Sequence, residues 1–103
     1  MLLTLIAIHF VVDYQFQSEF IAVNKNRHLN KTPVPWYYVM ASHAACHALP
    51  VGWLLASPWL ATAEFAAHYI IDVIKCEGKT NIHTDQALHI LCKLAWVCVL
   101  AYS

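Results

Sequence analysis

His9 and Asp13 stand four residues apart, and His68 and Asp72 repeat the spacing further along the chain. The match extends to whole segments, His9-Phe10-Val11-Val12-Asp13-Tyr14 and His68-Tyr69-Ile70-Ile71-Asp72-Val73, and a lysine follows each, Lys25 and Lys75. A four-residue spacing puts an imidazole and a carboxylate on one face of a helix. Both pairs lie in apolar sequence, where a buried histidine or aspartate is costly without a partner. Further candidates follow the same rule. His43 and His47 are one turn apart, and Glu64, His68, Asp72 and Lys75 form one stripe. Asp85, His89 and Lys93 share a face, with Gln86 beside it, and Gln17 extends the row begun by His9 and Asp13.

Imidazole nitrogen and carboxylate oxygen together suit a divalent transition metal, zinc first, with manganese or iron as alternatives. His9, Asp13, His43, His47, His68, Asp72 and His89 are the candidate ligands. Helical proteins that hold metals do so with inward-facing donors of this kind. Such an ion activates water near neutral pH. Lys25 and Lys75 are placed to hold a phosphate, Asp85 to act as general base, and Gln17 and Gln86 to orient a ligand or a histidine. The competing reading is structural: Asp13 with Lys75, and Asp72 with Lys25, as ion pairs fastening helices together. Glu64 sits apart from the other polar residues, and Lys93 is expected to extend its amine toward an interface. His28 and His83 fall in loops.

The segments that must position these residues are hydrophobic. Of 103 residues, 60% are hydrophobic and 12% charged, against about 25% charged in ordinary soluble domains. Residues 32–63 contain no Asp, Glu, Lys or Arg. A soluble helical protein needs a charged outer face on each helix, so the composition predicts an integral membrane protein. The net charge of zero argues against nucleic acid as a partner and leaves membrane lipid. The length allows a single domain over 1–103. Cys46, Cys76, Cys92 and Cys98 show no metal or disulfide spacing and read as buried, reduced packing residues. The first twelve residues resemble a signal-peptide core, but no basic region precedes them and no cleavage site follows, so they are expected to stay as a helix.

Four helices are expected, over about 2–23, 36–56, 58–75 and 84–102. Pro50 and Gly52 should kink the second. Thr84 is the expected cap of the last. Each segment approaches the roughly 20 residues that cross a bilayer. Short connections make this an all-α, up-down four-helix transmembrane bundle of two repeated helix–loop–helix halves. Aromatic residues near the segment ends would form an interfacial belt. The polar loops at 24–32 and 76–82 carry Lys25, Arg27, Lys31, Lys75 and Lys79. The positive-inside rule puts both loops in the cytoplasm and both termini outside. A homo-oligomer is left open.

The string His9-x3-Asp13-Tyr14-x-Phe16-Gln17, then Ala22-x-Asn24-Lys25, resembles a family of small bacterial and phage membrane proteins catalogued as a domain of unknown function. That family's pattern continues with a histidine in the second segment, here His43 or His47. It goes on to His68-x3-Asp72-x2-Lys75 and Asp85-Gln86-x2-His89. The resemblance implies a membrane location and a phage or bacterial origin. A looser likeness, in histidine and aspartate spacing, is to small inner-membrane proteins labelled metal-dependent hydrolases. Neither likeness supplies an activity; the convergent His/Asp set gives the expected function, a membrane-embedded metal-dependent hydrolase of a phosphate ester or lipid-linked headgroup in a bacterial inner membrane. Two alternatives stay open: a non-enzymatic phage membrane protein that binds a host component to affect superinfection or lysis, and a proton or ion conductor.

Overall fold

A computed structural model describes residues 1–102, and over them the chain is all-α. Five helices follow in order: α1 (Leu2–Tyr14), α2 (Glu19–Asn24), α3 (Trp36–Leu54), α4 (Pro58–Cys76) and α5 (Ile82–Ala101). No strand occurs among the described residues. The predicted first helix is thus two. The N–H groups of Gln15 and Phe16 both turn back to the Val11 carbonyl, which ends α1. Ser18 then opens α2 by accepting the Ile21 N–H on its hydroxyl, with Glu19 in the first turn. A serine that bonds a backbone N–H three residues on competes well with helix continuation. Gln17 therefore does not share a helix with His9 and Asp13.

The other helices differ less from expectation. Ser57 caps α4, with Pro58 in its first turn. Asn81, not Thr84, caps α5, and its side chain accepts the Thr84 N–H. α3 continues as one helix through Pro50.

Contacts define how the helices run. α1 packs on α3 and α5, α4 packs on the same two, and α2 lies on α3. Glu64 meets Lys93, His68 meets His89, and Lys75 meets Asp85. Numbers rise along α4 as they fall along α5, so the two are antiparallel. The contacts of Asp13 with His43 and His47, and of His9 with His89, set α1 antiparallel to α3 and α5 in the same way.

The interior is layered along the helix axes. At one end, Leu5, Val51, Leu55 and Leu60 form an apolar plug. Glu64 and Lys93 come next, then five histidines, then Asp13, Asp72 and Asp85. The outside is the inverse. Leu3 is 82% exposed, Leu49 71%, Trp53 82% and Trp59 77%. Buried charge under an apolar surface reverses the usual order of a globular protein.

Among the described residues one helix, α5, is long and apolar enough to cross a membrane. α1 has 13 residues, about 20 Å at 1.5 Å per residue, short of a core of about 30 Å. α4 carries Glu64, Asp72 and Lys75. Nor are the cysteines buried packing residues. All four are free, Cys46 and Cys98 are exposed, and Cys76 and Cys92 are partly so.

α3 and α4 meet closely where a Cβ on Gly52 would stand 2.5 Å from the Ala61 Cβ. Gly52→Ala is expected to destabilise the chain by about 1–3 kcal/mol, the usual cost of overpacking. Thermal unfolding in detergent measures it. An unchanged midpoint would show that the two helices do not meet there.

Candidate metal centre

Each long helix delivers its polar stripe inward. α1 contributes His9 and Asp13, α3 His43 and His47, α4 Glu64, His68 and Asp72, and α5 Asp85, His89 and Lys93. The five histidines are at most 2% exposed. His47 stacks on His68 with ring centroids 3.8 Å apart, and His68 on His89 at 4.3 Å. His9 lies 4.9 Å from His89 and 5.0 Å from His47. His43 is 4.9 Å from His47 and 5.0 Å from His68, so both α3 histidines face the cluster.

Asp13 and Gln86 tie this layer together. His47 Nε2 donates to Asp13 Oδ1 at 2.9 Å, and His43 Nε2 stands 3.3 Å from the same oxygen. The Gln86 amide donates to Asp13 Oδ2 and to Asp85 Oδ2, each at 3.0 Å. His9 Nε2 donates to Gln86 Oε1 at 2.9 Å. An amide oxygen only accepts, so His9 carries its proton on Nε2 and keeps a lone pair on Nδ1.

Two groups have donor atoms within 4.8 Å of one another: Asp13, His43, His47 and His68, and separately His9, His68 and His89. Ligands on a tetrahedral ion are roughly 3.3 Å apart, from bonds of about 2.0–2.1 Å, so small side-chain movements close either set. Several buried nitrogens lack hydrogen-bond partners: Nδ1 of His9, His68 and His89, and Nε2 of His43 and His68. Each such atom costs about 1–3 kcal/mol, and an ion with nitrogen and oxygen ligands satisfies them together.

The remaining candidates are placed differently. Asp72 is buried, but its Oδ2 accepts from Lys25 Nζ at 2.6 Å and joins neither donor group. Lys25 also donates to Gln17 Oε1 at 2.6 Å. Its charge is matched inside the protein, which leaves little for an anion. Lys75 has a side chain 34% exposed, 3.9 Å from Asp85 Oδ2 and not beside Asp13. Asp85 is buried, with Oδ1 3.4 Å from His89 Nε2. His83 is exposed near the start of α5.

Glu64 and Lys93 depart most from expectation. Both are buried, and Lys93 donates to Glu64 Oε1 while Trp96 donates to Oε2 at 3.0 Å. Lys93 reaches no interface, because its partner is inside. The clue was present in the sequence: Glu64 is one turn before His68 and Lys93 one turn after His89. On antiparallel helices those turns fall at one level.

Outside the helices, Arg27 and His28 pin Glu77, with His28 Nε2 at 2.8 Å from Glu77 Oε2. Hydrogen bonds from Arg27, then His28, lower the Glu77 pKa from 4.5 to about 2. A carboxylate with a lowered pKa stabilises the fold above its unfolded value, and that stability is lost as pH falls through the folded value.

Residues 1–102 match the sequence profile of the family described as Protein of unknown function (DUF3307). Comparison with curated proteins and with solved structures returns no match.

Two outcomes follow from the pairs outside the histidine layer. Glu64→Gln leaves the Lys93 charge buried alone and should cost about 3–5 kcal/mol in unfolding free energy. Replacing both residues by leucine should recover most of that, and equal losses in the single and double variants would contradict the pairing. For Glu77, the link between the two polar loops should weaken from about pH 4.5 to about 2. Protection of the 24–32 amides against hydrogen exchange should fall over that window, and Glu77→Gln should flatten the profile.

Proposed function

The chain belongs to the DUF3307 family, whose description assigns no activity, and from the site itself we propose a membrane-embedded metal-dependent hydrolase. Its substrate would be a phosphate ester, such as a lipid or lipid-linked headgroup. The reading rests on one observation: Asp13, His43, His47 and His68, from three helices, hold donor atoms within 4.8 Å of one another in a buried interior. Zinc suits the set best, with manganese or iron as alternatives. A divalent ion supplies Lewis acidity and a nucleophilic water near neutral pH.

The residues around that group have distinct work. Asp85 is buried beside the histidines, its Oδ1 making no hydrogen bond and standing 3.4 Å from His89 Nε2, which suits a general base. Gln86 orients His9 and Asp13. Lys75, partly exposed beside Asp85, is the better of the two lysines for a phosphate. Lys25 and Gln17 hold Asp72 in place.

A bilayer location is supported by the apolar exterior, the polar interior and the span-length α5. On this reading α1, α3, α4 and α5 form an up-down bundle in a bacterial inner membrane. Lys25, Arg27, Lys31, Lys75 and Lys79 then lie on the cytoplasmic side. The apolar plug at the opposite end favours a site entered from one side over a conduit. The main rival is a bundle held together by polar pairs, and the Lys25–Asp72 and Glu64–Lys93 pairs speak for it.

Purification in detergent with metal in the buffers, followed by elemental mass spectrometry, separates the two. A hydrolase should retain close to stoichiometric metal, and Asp85→Asn should lower phosphatase turnover about 10²–10⁴-fold while keeping the metal. Metal below about a tenth of an equivalent would remove the reading, given how tightly such ligand sets bind.

A further inference from the structure

We propose that the centre is dinuclear, with His68 bridging two metal ions through its two ring nitrogens. The proposal rests on the metal reading above and extends it to a second site.

The two donor groups share one residue, His68. Its Nδ1 and Nε2 are both buried, and neither has a hydrogen-bond partner. A neutral imidazole left as packing normally satisfies at least its N–H. The unpartnered atoms also sort by type. In the group of His9, His68 and His89, all three residues leave Nδ1 unpartnered. In the other group, Nε2 of His43 and His68 makes no hydrogen bond, with His43 Nε2 3.3 Å from Asp13 Oδ1 and 3.5 Å from Asp72 Oδ2 and His68 Nε2 3.9 Å from Asp72 Oδ2, and His47 Nε2 lies on Asp13 Oδ1. On this proposal His68 gives one nitrogen to each group.

The surroundings prepare the three-histidine site. His9 Nε2 is engaged by Gln86, and His89 Nε2 stands 3.4 Å from Asp85. Outer partners on one ring nitrogen leave the other as the ligand atom. Three nitrogens leave a position for water or substrate, whereas Asp13, His43, His47 and His68 complete a four-ligand shell. The three-histidine ion is then the reactive one, beside Asp85, and the four-ligand ion is structural. Protons balance simply. When an ion takes Nε2 of neutral His47, the ring keeps its proton on Nδ1, so that pair releases none. His68 gives up its remaining N–H proton as the second ion binds. That single proton leaves to solvent.

Cobalt(II) is the probe. The full chain in detergent is loaded with it, ions per chain are counted by mass spectrometry, and spin coupling is read by electron paramagnetic resonance and magnetic susceptibility. The wild type should hold about two ions that are magnetically coupled, with weak resonance intensity. His89→Ala should hold about one and show the full intensity of an isolated high-spin ion. Two uncoupled ions would overturn the bridge. A single ion in the wild type would overturn the dinuclear centre and leave the single-ion hydrolase standing. No bound ion would overturn both. The wild-type measurement stands alone if the variant fails to fold.

Discussion

A buried ionisable group in an apolar chain must find a partner, and this constraint organises the whole molecule. Among the described residues, eleven polar or charged ones are buried, against nine apolar ones. None of the charged ones can be left alone without a penalty that a small domain cannot absorb. So Glu64 takes Lys93 and Trp96, Asp72 takes Lys25, and Asp13 takes His47 and Gln86. Each of these bonds crosses between helices. Packing of apolar side chains is thin by comparison, concentrated in the plug around Leu5 and Leu60.

The histidine layer is where pairing runs short. Four residues leave Nδ1 or Nε2 atoms unpartnered within one small volume, and two donor groups overlap at His68. In a purely structural polar core these atoms would be expected to bond one another or the backbone. The shortfall is concentrated: the Glu64–Lys93 and Lys25–Asp72 pairs are satisfied, and the deficit falls on the histidines and on Asp85 Oδ1 beside them. A cluster of unmatched groups beside matched pairs is what a ligand site requires.

Much of this was readable beforehand. Three-and-four spacing placed His43, His47, His68, Asp72, Asp85 and His89 on inward faces, because a helix repeats every 3.6 residues whatever surrounds it. Position along each helix also set their common depth. The break after α1 was harder to see, because residues 15–18 are no more polar than the stripe they interrupt; only the Ser18 cap marks it. Glu64 and Lys93 were misjudged singly because neither has a partner within its own helix. For Lys25 the expected alternative, an ion pair with Asp72, is the contact that forms. A basic residue at a loop edge looks available until the neighbouring helix brings a carboxylate to it.

Periodicity, composition and charge spacing in the chain alone determined that it would be helical, greasy outside and polar along one stripe per helix. These properties are local, set by backbone geometry and by the sign of each side chain's transfer free energy. What tertiary structure decided is the choice of partners. Whether Lys75 would meet Asp13 or Asp85, and whether α1 would carry Gln17, depends on where one chain break falls and how far each helix slides along the next. Such distances of a few ångströms are set by packing between segments remote in sequence, and hydrogen bonds and metal ligands are decided at that scale.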